Sequence, residues 1–262
     1  MVFLILPFIA LHIYTFPHQD GYQLEREMNI KGQQHYSDPL GNLYIVNGNE
    51  ISRYDRDYRN IARYSNAFLG QPASLDISDP LRLLTFYKDY NTLLWLDNFL
   101  TELRSPVRLD ELGYEQVELV CSSSQGGFWI YNSLTDQIHS FDAGMNLVHE
   151  SISLRPMLER SGGPVFMVEK NRNIYLDFPD AGILVFDRFG NYRKTLPLKD
   201  ISRFQVTDRY LFYMRDGAFY RFSLVEGEET EITLPAEQVP VQAEIQDKLL
   251  YLYYTSKVLI YK

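Results

Sequence analysis

Three of the five histidines, His35, His139 and His149, lie where side-chain chemistry could be built, but their spacing argues against a local metal centre. Neither H-x-x-x-H nor H-E-x-x-H occurs, so a histidine site would have to be assembled from distant strands. His12 and His18 belong to the apolar N-terminal region. Oxygen donors are more plentiful: Asn47, Asn49, Glu50, Asp89, Asp136, Asp180 and Asp216 recur periodically, and a hard cation such as Ca²⁺ takes six to eight such ligands. The recurrence has a simpler cause, because Asn and Asp accept local hydrogen bonds and tolerate the backbone of tight turns. Asp38, Asp79, Asp208 and Asp247 are read as turn residues for the same reason. No metal ligand and no cofactor is assigned.

Nucleophile motifs are absent. There is no G-x-S-x-G elbow and no phosphate-binding glycine loop, and Ser161-Gly162-Gly163-Pro164 reads as a connector. Cys121 is the one cysteine, which excludes an intramolecular disulfide and a cysteine zinc cage. It lies in the strand-like run Val117 to Cys121, with no neighbouring His or Lys to favour a thiolate, and is expected to be a small buried apolar side chain. No catalytic residue is assigned. Trp95 and Trp129 could stack on a sugar ring, yet both fall inside strand-like segments where core packing is expected.

The elements that position these residues follow from an internal repeat. Six segments share an apolar strand, a short polar turn and a second strand: Leu43 to Asp55, Leu83 to Asp97, Phe128 to Asp142, Ile174 to Asp187, Tyr210 to Ser223, and Leu249 to Lys262. Aligned on their last residues, the penultimate positions are Tyr54, Leu96, Phe141, Phe186, Phe222 and Tyr261. Three residues earlier stand Ile51, Leu93, Ile138, Ile183, Phe219 and Val258. All twelve are large and apolar. The period averages about 41 residues, that of a four-stranded propeller blade. A two-sheet sandwich would explain the strands but not the period.

Asn47-Gly48 and Asp216-Gly217 supply tight-turn chemistry between strand-like runs. Innermost strands are expected at Ala73 to Ile77, Val117 to Cys121, Val165 to Glu169, Phe204 to Thr207 and Val241 to Ile245. More polar outer strands are expected at Arg59 to Tyr64, Val148 to Leu154, Tyr192 to Leu196 and Thr230 to Leu234. Leu100 to Glu115 gives the weakest pattern. The fold class is therefore all-β, a six-bladed propeller over 18–262. Its sixth repeat lacks an outer strand, and Tyr22 to Ile30 is expected to supply it by pairing with Val258 to Tyr261.

The first repeat, Asp38-Pro39-Leu40-Gly41-Asn42-Leu43-Tyr44 followed by Ile51-Ser52-Arg53-Tyr54-Asp55, resembles an NHL-type unit. The fourth resembles it through Asn173-Ile174-Tyr175-Leu176 and Val185-Phe186-Asp187. The likeness implies a six-bladed propeller and says little of activity, because that fold carries lactonases, lyases, ligand-binding modules and scaffolds alike. Overall the chain also resembles exported, uncharacterised propellers of the bacterial envelope.

Composition sets the compartment and the partner class. The 15% aromatic content favours strands, and a net charge of −9 excludes phosphate-driven nucleic-acid binding and a polybasic membrane hold. Residues 1–17 are read as a signal peptide or apolar leader: the run is short for a membrane-spanning helix and is interrupted by Pro7. It lacks a basic start and a small-x-small cleavage site, so a retained anchor or an apolar strand stays open beside cleavage. No cysteine follows it for lipidation. One cysteine in an exported chain suits a bacterial periplasm, and the expected location is periplasmic or outer-membrane-associated.

Loops on such a scaffold are the expected binding elements. Ser65 to Pro72 carries Phe68 and Leu69, and Leu100 to Gln116, the longest connection between hairpins, carries Tyr114. Phe68, Leu69 and Tyr114 are the expected contacts for an envelope protein or peptide. The expected function is a non-enzymatic binding scaffold, with a metal-dependent lactonase-like or lyase-like enzyme as the alternative.

Overall fold

The computed structural model describes residues 21–158 and 162–262. The leader at 1–17 and Ser161 lie outside them. Blade one is formed by β2 (Gln34–Ser37), β3 (Leu43–Asn47), β4 (Glu50–Tyr54) and β5 (Asn60–Ser65), and blade two by β6 (Ser74–Asp76), β7 (Leu83–Tyr87), β8 (Thr92–Leu96) and β9 (Val107–Arg108). Blade three holds β10 (Val117–Ser122), β11 (Phe128–Asn132), β12 (Gln137–Phe141) and β13 (Leu147–Glu150). Blade four holds β14 (Phe166–Lys170), β15 (Asn173–Phe178), β16 (Gly182–Asp187) and β17 (Tyr192–Leu196). Blade five follows as β18 (Phe204–Val206), β19 (Tyr210–Arg215), β20 (Ala218–Ser223) and β21 (Glu229–Ile232). Blade six joins β22 (Gln242–Gln246), β23 (Leu249–Tyr253) and β24 (Val258–Tyr261) to β1 (Leu24–Met28).

Ring closure takes the expected form. β1 runs antiparallel to β24, with Leu24 opposite Tyr261 and Met28 opposite Val258. The ladder continues past the strand, since Gln23 and Lys262 exchange backbone hydrogen bonds of 2.9 Å in both directions. Closure removes the free edge that an open sheet would present.

The repeat's apolar positions have one job. Ile51, Leu93, Ile138, Ile183, Phe219 and Val258 are all fully buried, each on a third strand facing the next blade's core. Its closing Asp has another: the Oδ1 atoms of Asp55, Asp97 and Asp187 each accept the backbone N–H groups two and four residues on, at 2.8–3.0 Å. Asp142 does the same to Asn146. The acid that recurs at the close of the repeat is thus a turn clamp.

Turn chemistry differs from the sequence reading at one hairpin. Asp216 and Gly217 form a two-residue turn with both φ values positive, the I′ pattern, as expected. Asn47 instead ends β3, and the turn is Gly48-Asn49 with only Gly48 at positive φ. Two further turns of the I′ pattern, Asn171-Arg172 and Asp247-Lys248, place a long basic side chain at positive φ. Blade two's outer strand is only two residues long, because Pro106 precedes it and a lone bridge from Leu96 to Glu102 replaces a ladder.

The innermost strands would leave a row of backbone groups unpaired around the axis. Side chains from neighbouring blades satisfy them. Glu244 of blade six accepts from the Ser37 backbone (3.2 Å) and hydroxyl (2.7 Å) of blade one, and Asp76 of blade two accepts from Ser122 N (2.7 Å) of blade three. Glu169 of blade four accepts from Ser124 N and from Trp129 Nε1 of blade three, while Gln205 of blade five pairs with both N–H and C=O of Ile245 in blade six. Tyr36 OH of blade one accepts from Leu75 N of blade two. Unpaired, each such buried group would cost about 1–3 kcal/mol.

Candidate functional site

The connectors between blades and the turns between second and third strands emerge at the same end of the ring. On that face Asn66 organises the first connector. Its Oδ1 accepts from Phe68 N (2.9 Å) and Leu69 N (3.1 Å), which folds the chain so that the two side chains part. Phe68 stands 87% exposed, whereas Leu69 tucks against the core between blades one and two. Gly70 then passes at positive φ beside the Tyr90 ring, and Tyr90 is itself 55% exposed.

Tyr90 belongs to the turn between β7 and β8, a single 3₁₀ turn over Lys88–Tyr90 that ends at Asn91 in the left-handed region. Asn91 ties this turn to the next connector. Its Nδ2 donates to Tyr114 O (2.6 Å) and its carbonyl accepts from Leu109 N (2.8 Å). The Oδ1 atom is left buried without a donor among the described residues. The Tyr114 ring turns away from the turn and packs edge-on against His139 (5.0 Å) and Phe141 (5.2 Å) of blade three.

Between the two connectors lies a groove of about 640 Å³ over blade two, walled by Leu69, Tyr90, Pro106 and Arg108, with Asp89, Asp110 and Glu115 among its polar groups. Arg108 is bound to Asp110 through both Nε (3.1 Å) and Nη2, and that pairing holds the Asp110 carboxyl below the usual range. Asp89 and Glu115 make no ion pair among the described residues and leave the groove acidic. The groove can therefore take an apolar side chain beside a basic one.

Of the three residues singled out from sequence, Leu69 lines this groove, and Tyr114 touches it only through the bond its backbone carbonyl accepts from Asn91. Phe68 stands on its connector as a free apolar side chain, and the Tyr114 ring fills the gap between blades two and three. Tyr90 was missed by sequence reading because it sits inside a repeat segment, where an aromatic reads as core; its place after Lys88-Asp89 was the available signal.

The oxygen-rich turn residues stay dispersed. Asp136 accepts from Tyr131 OH (2.8 Å) and Arg155 Nε (2.9 Å), Asp180 from Gly162 N (3.1 Å), and Glu50 from the Ser52 hydroxyl (2.9 Å). Among the described residues no three of His, Cys, Asp and Glu gather as a metal site. His35 is buried and stacked on Tyr253 at 5.0 Å, and burial with the nearby Arg203 charge lowers its pKa to about 4. His149 lies opposite Ser140 on the strand beside that of His139, but its ring packs on Phe189. Trp95 and Trp129 are buried in cores, and burial pushes the Cys121 thiol well up.

No family model matches the chain, and no curated protein matches its sequence. Solved structures do. A streptogramin B lyase is similar at 13% identity with a TM-score of 0.62, over 92% of this chain and 97% of that one. BamB from Moraxella catarrhalis is similar at 12% identity with a TM-score of 0.53, over 92% and 100%. A chain of the mitotic checkpoint complex is similar at 10% identity with a TM-score of 0.67, over 100% and 99%. Likeness at this level shows the shared propeller fold.

Proposed function

We propose that the chain is a non-enzymatic propeller of the cell envelope that binds a protein or peptide in the groove over blade two. The observation that carries this reading is the groove in which exposed Tyr90, on the β7–β8 turn, meets Asp89 and Glu115, with exposed Phe68 on the connector next to the groove-lining Leu69. An extended segment with one apolar and one basic side chain fits those groups. Export rests on the leader at 1–17. The chain in a mitotic checkpoint complex is one instance of this shape serving in a multi-protein assembly.

Photo-crosslinking from envelope extract tests the reading. A crosslinker at position 68 or 90 should capture one partner that a crosslinker at Phe189, on the opposite face, does not. In the chain without crosslinker, Phe68→Ser with Tyr90→Ser should lower pull-down capture of that partner at least tenfold at unchanged melting temperature. Capture that survives the double variant, or equal capture from position 189, refutes the groove.

A further inference from the structure

The axial channel opens on the same face, where blades five, six and one meet, in a separate cavity of about 270 Å³ bordered by Gln34, Arg203, Gln205, Gln242 and Glu244. Arg203 immediately precedes β18 of blade five. Its guanidinium carbon lies 4.1 Å from the ring centre of Tyr36 in blade one and 5.7 Å from that of Phe166 in blade four. A side chain that leaves blade five and touches both blades four and one reaches across the channel. Cation–π attraction to the two rings holds the guanidinium at this position before any ligand arrives.

Those donors have no acceptor. Arg203 makes no ion pair and no side-chain hydrogen bond among the described residues, in a chain of net charge −9 where nine of the other basic side chains are paired. The obvious counter-charge is committed elsewhere. Glu244 Oε2 accepts from Ser37 N, Ser37 Oγ and Tyr253 OH, and its Oε1 accepts from Gln242 Nε2 at 2.6 Å. Gln205 is held by Ile245, and Gln34 reaches Pro72 O and Tyr36 OH. The polar side chains of the wall are thus satisfied among themselves and by neighbouring blades, beside apolar Phe204, Phe212 and Met214, with a single planar cation left over.

We propose that this channel mouth is a carboxylate-binding site in which Arg203 grips the two oxygens of a small monoanion. A guanidinium fork matches a carboxylate in geometry, and two parallel charge-assisted hydrogen bonds form. Glu244 contributes one negative charge to the same cavity, which disfavours a doubly charged phosphate. The cavity volume lies just below the usual range for ligand pockets, suiting a short acid or the last residue of a peptide. This site is independent of the groove over blade two.

Calorimetric titration of the full chain tests it with four probes: butyrate, tri-alanine with a free C-terminus, tri-alanine amide, and inorganic phosphate. Butyrate binding points to a free acid as the source, and preference for free tri-alanine points to a peptide terminus. Either should bind with Kd of about 1 mM or tighter, with the amide silent and phosphate at least tenfold weaker. Arg203→Met should abolish the signal. Arg203→Lys, which keeps stem and charge but lacks the fork, should weaken it about tenfold and serves if the Met variant does not fold. Silence of both carboxylates at about 10 mM, equal binding by the variants, or tighter phosphate binding overturns the proposal.

Discussion

Replacing Asp177 by Asn should raise the stability of this propeller at alkaline pH and leave it nearly unchanged at acid pH. Asp177 lies on β15 between Phe166 and Ile183, with no exposed surface, and neither carboxyl oxygen has a partner among the described residues. Burial alone pushes its pKa from 3.8 up to about 7, since no charged group lies close enough to contribute. In the unfolded chain the group ionises near 3.8; in the folded chain it stays protonated until about 7. The unfolded state thus binds fewer protons between those limits, and stability falls as pH rises through them. Its contribution is complete below pH 3.8 and lost once the pH passes about 7. At 1.36 kcal/mol per unit the loss is of order 4 kcal/mol, an upper bound that relaxation around the charge reduces to about 2–4. For a domain of this size that is a rise in Tm of roughly 5–15 °C for the Asn variant at pH 8. His35 and His139, both lowered by burial, destabilise the fold as pH falls below 6.5, but equally in both proteins. Urea melts of the two chains from pH 4.5 to 8.5, read as a difference curve, isolate Asp177. Parallel curves with no widening gap would refute the buried-acid reasoning.

Two other outcomes follow from the ring and its turns. Deleting residues 18–31 removes β1 and should lower Tm by more than about 10 °C or abolish folding, because the edge of β24 and the buried Met28 contacts are lost together; a truncated chain that melts like the intact one contradicts closure by this strand. Arg172→Gly and Lys248→Gly relieve positive-φ strain at I′-pattern turns and should each stabilise by up to about 1 kcal/mol, seen as a shifted urea midpoint at constant slope; a loss of stability would show that those side chains are held by something other than the turn.

The blade count and the closing strand were legible because they depend on period and polarity, which a single sequence carries. Ile51 and its five counterparts mark the cores directly, and the polar Tyr22 to Ile30 segment matched an outer strand in need of a place. The outer strand of blade two was not legible, since two residues after Pro106 leave no alternation to read. Nor could the sequence show Arg203 or Asp177. Arg203 meets Tyr36 across 167 positions of chain, and Asp177 occupies an ordinary alternating place in Ile-Tyr-Leu-Asp-Phe, where only packing reveals that nothing answers its carboxyl. The place of Phe68 on an exposed connector was legible because Ser65 to Pro72 falls outside the repeat strands, whereas the inward rotation of Tyr114 depends on His139 and Phe141 in another blade.

The way β1 meets β24 also sets how the ring answers to force. The two strands are antiparallel and their outer ends, Gln23 and Lys262, face each other across a reciprocal pair of hydrogen bonds. Tension applied between these two residues loads that pair first, then the next, so the seam peels one rung at a time instead of resisting as a sheared ladder. Tension between either of them and a ligand seated on the connector face meets the six blades as a body. The same molecule is thus weak along one line of pull and stiff along another.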